Sequence, residues 1–362
     1  MTTDIAIIRT IVVICVAAAF GLTWVFSPLA GIVARKIGAI DNQKDERRMH
    51  KEPIPRFGGM AIFMSVSVLI LAIKFIFFPI SFLSGLIDEP VHMIMPILVG
   101  GALIFIVGMI DDIRPLSAGV KLLGQCACAC ITFTLGIRIE LIRHLGMTFA
   151  QDSIGGVILS LVVTVIWIVA IINMINLIDG MDGLAAGVVG IAALAIAFSG
   201  YIHGQYTVTL LMCAVAGAAL GFLPVNFYPA KMIMGDSGAM FLGYMLASVS
   251  IIGPAKGATL VASIVPILVL GVPIFDVVFA ILRRRLRKDP IFKPDKGHLH
   301  HQLYNLGMGQ RRTVCMIYGV SSVMGMAAII FSRQLYIESA LLFIVALFFI
   351  FVLVWSWNSN KK

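Results

Sequence analysis

The acidic and amide side chains of this sequence gather at the ends of long apolar runs, where they are costly to hold and therefore informative. Asp111 and Asp112 close one run. Asn173, Asn176, Asp179 and Asp182 follow another, Asn226 and Asp236 flank a short loop, and Asp276 precedes a long loop holding Asp295, His298, His300 and His301. Adjacent carboxylates such as Asp111 and Asp112 raise at least one pKa unless a cation intervenes, and Arg114, Lys121 or Mg²⁺ could supply that charge. Mg²⁺ binds one or two carboxylates together with water and substrate phosphates. The bland alternative is a solvated turn.

The run Asn173, Asn176, Asp179, Asp182 repeats every third residue. Continued as helix, it would lie on a slowly drifting polar stripe able to line a cavity. Gly180 and Gly183 interleave and allow a tight turn or a close ligand. An ordinary polar loop with helix caps is the competing reading. In Met234-Gly235-Asp236-Ser237-Gly238 an acid sits between glycines before an apolar run, so its carboxylate and nearby N–H groups could face a metal-bound phosphate at a helix start. Asp236 could instead simply cap that helix.

The loop from Arg283 to Arg312 opens with Arg283-Arg284-Arg285-Leu286-Arg287-Lys288 and ends near His298-Leu299-His300-His301. Arginines there can grip phosphate through paired hydrogen bonds, although a basic loop is also an ordinary orientation signal. The three histidines have no cysteine or carboxylate at zinc-like spacing, so a pyrophosphate or sugar suits them better than a transition metal. Cys126, Cys128 and Cys130 alternate along one helix and read as packing residues.

These residues must be held by membrane helices. Of 362 residues, 60% are hydrophobic and 12% charged, far from soluble composition. Apolar runs of about 20 residues, enough to cross the hydrocarbon, recur almost end to end. They divide into eleven expected spans: 5–33, 58–79, 93–110, 119–136, 154–172, 184–202, 207–227, 238–253, 258–282, 313–332 and 337–357. The expectation is an all-α polytopic bundle forming a single domain over 1–362, its site built from loops 34–57, 111–118, 173–183, 228–237 and 283–312. Twenty-one of the 27 basic residues follow odd-numbered spans, which places the N-terminus outside and the C-terminus and site in the cytoplasm. Pro266 and Pro273 predict a kink or break in the ninth span. Gly183 to Gly187 and Gly217 to Gly221 are spacings that let membrane helices approach closely. The net charge of +9 is explained by anionic headgroups and phosphorylated substrates rather than nucleic acid.

Together, Arg56-Phe57-Gly58-Gly59, Asp111-Asp112, Asn173 to Gly183, Met234 to Gly238 and Pro294 to His301 resemble the polyprenyl-phosphate N-acetylhexosamine-1-phosphate transferase family, over nearly the whole chain. The Pro-Asp-x-x-His-x-His-His pattern is similar to the bacterial branch that starts teichoic acid, O-antigen and related polymers. The resemblance implies transfer of N-acetylglucosamine-1-phosphate from UDP-N-acetylglucosamine to undecaprenyl phosphate at a bacterial plasma membrane. UMP leaves, and Mg²⁺ is required, with Mn²⁺ as a substitute. By the same resemblance Asp236 and Asn176 hold the metal and Asp111 acts on the lipid phosphate. Asp112, Asp179 and Asp182 support metal, nucleotide or lipid binding. Asn173, Lys121, Arg285, His298, His300 and His301 bind substrate. The implied partners are the donor, the lipid acceptor and membrane lipids, with a homodimer as a candidate assembly. The sequence departs from the family at Ile233, where a phenylalanine often stands to stack on uracil; Phe227 or Tyr228 could substitute.

Two other readings compete. A phospho-N-acetylmuramoyl-pentapeptide transferase, or an enzyme using another UDP-amino-sugar, keeps the family and changes the substrate; the first would show a run of consecutive histidines near His298. A transporter or flippase would spread polar groups across the bilayer and often repeat its halves, whereas here they cluster on one face.

Overall fold

The computed structural model describes residues 2–41, 53–77, 92–139, 153–252, 260–287 and 302–359. Every one of the eleven expected spans carries helix: α1 (Thr2–Ile37), α2 (Gly58–Ala72), α3 (Ile94–Ile113), α4 (Ala118–Thr134), α5 (Ile154–Ile178), α6 (Leu184–Ile202), α7 (Tyr206–Asn226), α8 (Gly235–Ile252), α9 (Leu260–Val269), α10 (Gly271–Arg287), α11 (Gln310–Ser332) and α12 (Tyr336–Ser359). Among the described residues, eight helices are long and apolar enough to cross a membrane, and α4 and α12 supply shorter apolar helices. The protein is an all-α, multi-pass membrane bundle.

The expected ninth span is two helices. Pro273 has no N–H to give the Val269 carbonyl, and α9 stops at Val269. The bonds Leu270 N–H to Pro266 O and Ile274 N–H to Leu270 O keep the two pieces joined. Serines cap two helices: Ser117 accepts from the Val120 N–H and Ser153 from the Gly156 N–H.

α8 is the central post. Ninety-four per cent of its length is buried, against 22% of the apolar stretch of α5. It packs against α2, α3, α5 and α7. Small residues make the closest approaches: a Cβ at Gly59 would meet the Gly238 backbone, and one at Gly108 the Ser237 backbone. α1 runs along α7 in the same way, with Gly217 and Gly221 against the Val16 and Phe20 backbones. Gly183 and Gly187, the other small-residue pair, face Tyr318 of α11. Inside the bundle the Tyr244 and Thr132 hydroxyls pair at 3.1 Å, a polar contact between helices of the kind that replaces water there.

One element lies outside the all-helical expectation. β1 (Ile40–Asp41) and β2 (Ile54–Pro55) pair antiparallel, and Arg56 forms a parallel bridge with Ile233. The chain from Pro55 to Gly59 is stitched to the approach to α8 by Ile233 N–H to Pro55 O, Gly58 N–H to Ile233 O and Gly59 N–H to Met234 O, at 2.9, 3.0 and 2.8 Å. This small ribbon holds Arg56 over the tip of the central post.

Candidate active site

The acidic residues of three separate segments, at the ends of α3 and α5 and the start of α8, meet Arg56 and Lys121 from the starts of α2 and α4. Asp236, in the first turn of α8, is bonded on both oxygens to cations: Oδ1 lies 2.7 Å from Arg56 Nη2 and Oδ2 lies 2.6 Å from Lys121 Nζ. The same Lys121 Nζ is 2.6 Å from Asp111 Oδ2, and Arg56 Nε is 3.3 Å from Asp112 Oδ1. Two cations thus link three carboxylates. Burial works against the Arg56 charge, but Asp236 and Asp112 outweigh it and raise the guanidinium pKa.

Asp112 does the capping that the sequence suggested for Asp236. Its Oδ1 accepts from the Asp236 N–H at 2.8 Å, and its Oδ2 from the Ser237 N–H at 3.0 Å and the Ser237 hydroxyl at 2.6 Å. The cap comes from the end of a different helix, so α3 and α8 are tied at their tips. Gly235 has φ +76° and a Cβ there would press on the Asp112 carboxylate, which is why glycine stands at that position. Asp111 Oδ1 accepts from the Leu116 N–H at 2.7 Å, closing the α3–α4 turn.

The polar run expected to follow the fifth span begins inside α5, which continues to Ile178, and divides where the helix ends. Asn173, still helical, exchanges two amide hydrogen bonds with Gln125 of α4, Asn173 Nδ2 to Gln125 Oε1 at 2.6 Å and Gln125 Nε2 to Asn173 Oδ1 at 3.3 Å. This pair lies one turn along α4 from Lys121. Asn176 is half-buried and makes no side-chain hydrogen bond to another described residue. Asp179 ends the helix as its C-cap, so the stripe stops there. Asp182 accepts from the Ala230 N–H at 3.0 Å, pinning the loop after α7.

Asp179 is the uncompensated group. Burial first, then the negative charge of Asp236, pushes its carboxyl well above the usual range, with Arg56 opposing. No cation or hydrogen-bond donor among the described residues contacts it. Four carboxyl groups, Asp111, Asp112, Asp179 and Asp236, thus share two cationic side chains, Arg56 and Lys121. Among the described residues no three histidine, cysteine or acidic side chains close a metal site by themselves. That donor set suits a hard divalent ion held by one or two carboxylates and completed by water and phosphate, rather than zinc.

A scan against family models matches residues 94–254, the stretch from α3 through α8, to glycosyl transferase family 4. Over 91% of this chain and 86% of the relative, it is 38% identical to a probable undecaprenyl-phosphate N-acetylglucosaminyl 1-phosphate transferase of Bacillus subtilis. The chain belongs to the polyprenyl-phosphate N-acetylhexosamine-1-phosphate transferase family. Other transferases of this family include the decaprenyl-phosphate N-acetylglucosaminephosphotransferase of Mycobacterium tuberculosis, 35% identical over 79% of this chain and 74% of that one. The undecaprenyl-phosphate alpha-N-acetylglucosaminyl 1-phosphate transferase of Thermotoga maritima is 27% identical over 83% and 84%.

Set on the transferase structure, Asp111, Asp112, Lys121, Asp179 and Asp236 come together, while Asn173 and Asp182 turn to protein partners beside them. Arg285 is exposed near the end of α10. His298, His300 and His301 lie outside the described residues. The site also uses Arg56, which was visible in the sequence only as the neighbour of Gly58-Gly59 at the mouth of a span. Ile233 spends its backbone on the Arg56 bridge. Tyr228 is exposed and carries the Arg311 guanidinium 5.8 Å from its ring centre, with Arg311 Nε donating to the Tyr228 carbonyl at 3.1 Å.

Proposed function

We propose that the protein transfers N-acetylglucosamine-1-phosphate from UDP-N-acetylglucosamine to undecaprenyl phosphate at the cytoplasmic face of a bacterial plasma membrane, releasing UMP. The observation that carries the reading is the Asp236 carboxylate bridged by Arg56 and Lys121 at the head of a buried helix, in a chain related to transferases of that name. The distribution of basic residues supports the cytoplasmic placement.

Asp236 and Asn176 would hold Mg²⁺, with Asp179 beside them; when bound, the ion neutralises the donor pyrophosphate and the charge on departing UMP. The protein's own part is positioning and charge, as expected for phosphoryl transfer. Arg56 and Lys121 fix the direction of the Asp236 carboxylate. On phosphate arrival each can exchange a carboxylate for a phosphate oxygen, as arginine and lysine both bind phosphate. A lipid phosphate oxygen attacks the phosphorus that bears the sugar, in line with the bond to UMP. Asp111, 2.6 Å from Lys121, faces the acceptor. A phosphate monoester is already largely ionised near neutral pH, so Asp111 orients the nucleophile more than it deprotonates it.

Purified protein in detergent, given undecaprenyl phosphate, Mg²⁺ and radiolabelled UDP-N-acetylglucosamine, should form labelled lipid and UMP. Label should vanish with EDTA and fall on the order of 10²–10³-fold in Asp236→Ala. Label only from a different UDP-sugar would reassign the donor. No transfer from any donor by folded protein would sink the reading.

A further inference from the structure

Asn226 lies at the end of α7, is 3% exposed, and spends both ends of its amide inside the protein. Its Oδ1 accepts from the Gly183 N–H at 3.0 Å, and its Nδ2 donates to the Met232 carbonyl at 2.9 Å. The first bond reaches the turn that carries Asp179 and Asp182. The second reaches the segment that leads into Asp236. Gly183, at φ +79°, is gripped on its other side as well, since its carbonyl accepts from the Tyr318 hydroxyl of α11. Across the same gap Asp182 accepts from the Ala230 N–H.

We propose that Asn226 is a positioning residue that sets the separation between the Asp179–Asp182 turn and Asp236, with Tyr318 bracing the turn from the opposite side. Neither residue touches the reacting atoms. The task needs one donor and one acceptor on a short neutral group, which among side chains an asparagine supplies. A carboxylate at this position would keep the bond to Gly183 and turn an acceptor toward the Met232 carbonyl, breaking one tie selectively. Misplacement of one acidic segment relative to the other weakens whatever both hold. Partners one layer behind a metal's ligands are commonly worth about 10–100-fold in affinity or activity. This inference rests on the proposed reading for what Asp179 and Asp236 hold together.

The test compares wild type, Asn226→Ala, Asn226→Asp and Tyr318→Phe as purified full-length proteins. Three quantities are read: thermal midpoint, Mn²⁺ affinity by electron paramagnetic resonance without substrate, and kcat and KM for undecaprenyl phosphate. In the Asn226 variants the Mn²⁺ dissociation constant should rise about 10–100-fold and kcat fall in parallel, with the KM for lipid unchanged. Tyr318→Phe should move the same two quantities in the same direction by less. Folded variants with wild-type Mn²⁺ affinity overturn the proposal, and so does a loss confined to the lipid KM. If Asn226→Ala does not fold, Asn226→Asp and Tyr318→Phe decide by the same criteria. Wild type that binds no Mn²⁺ and transfers no sugar overturns the functional reading and this inference together. An active, Mn²⁺-binding wild type matched by its variants overturns this inference alone.

Discussion

Asp112 and Asp236 are both buried acids within bonding distance of Arg56, yet they act differently. Asp112 spends its oxygens on the N-terminus of α8, and Asp236 spends its own on two cations. Asp112→Ala should therefore cost about 1–2 kcal/mol of stability through the lost cap, read as a lower thermal midpoint. Asp236→Ala should show its larger effect in turnover. Asp179 makes a third case. Because burial raises its folded pKa, its stabilising contribution is complete below the ordinary carboxylate pKa and is lost as pH rises through the higher folded value. In EDTA, Asp179→Asn should raise the thermal midpoint at neutral pH and flatten its fall with pH while abolishing transfer. A variant less stable than wild type at neutral pH would contradict this. The sequence showed which acids stand beside the membrane, because such residues are rare there. It could not show which of Asp112 and Asp236 caps a helix, since either spacing permits it and the answer depends on a crossing between segments over a hundred residues apart. Arg56 and Asn226 stood out in the sequence, one opening the Arg56-Phe57-Gly58-Gly59 motif and the other flanking the loop before Asp236, but the partners each one binds were hidden for the same reason.

Helices are the level at which sequence and structure agree best, because about 20 apolar residues in a row have few other fates. The α9–α10 division was also written in the sequence, in Pro266 and Pro273. The ribbon at Arg56 and Ile233 was not, being two residues wide and made of backbone bonds across distant segments. Close helix crossings were legible at Gly217 and Gly221 from their spacing, whereas Gly59 and Gly108 belong to different helices and gave no local signal. Both press on the first turn of α8. Gly108→Ala should force that turn away from α3 at a cost of about 1–3 kcal/mol and separate Asp236 from Lys121. Thermal denaturation and transfer assays on this variant should show both losses, whereas Gly119→Ala, where a Cβ meets nothing within 4 Å, should show neither.

For the whole molecule, the site occupies a single end of the bundle, where the starts of α2, α4, α6, α8 and α11 meet the ends of α3, α5 and α7. This is the side the basic residues assign to the cytoplasm. A cysteine placed at the exposed Lys231, in a background lacking the native cysteines, should be labelled by a membrane-impermeant maleimide in inverted vesicles and not in intact spheroplasts. Labelling in spheroplasts would reverse the orientation.

The burial of α8 also bears on how the protein is made. It is the least apolar of the eight spanning helices and the most enclosed, carrying Asp236 at one end and Tyr244 and serines along its length. A segment of that composition partitions poorly into lipid by itself. As the nascent chain leaves the ribosome, α2, α3, α5 and α7 precede it and can offer a protein-lined berth. The helix that holds the reactive acid thus enters the membrane as a guest of its neighbours, and loss of any one of those neighbours should appear as failed insertion.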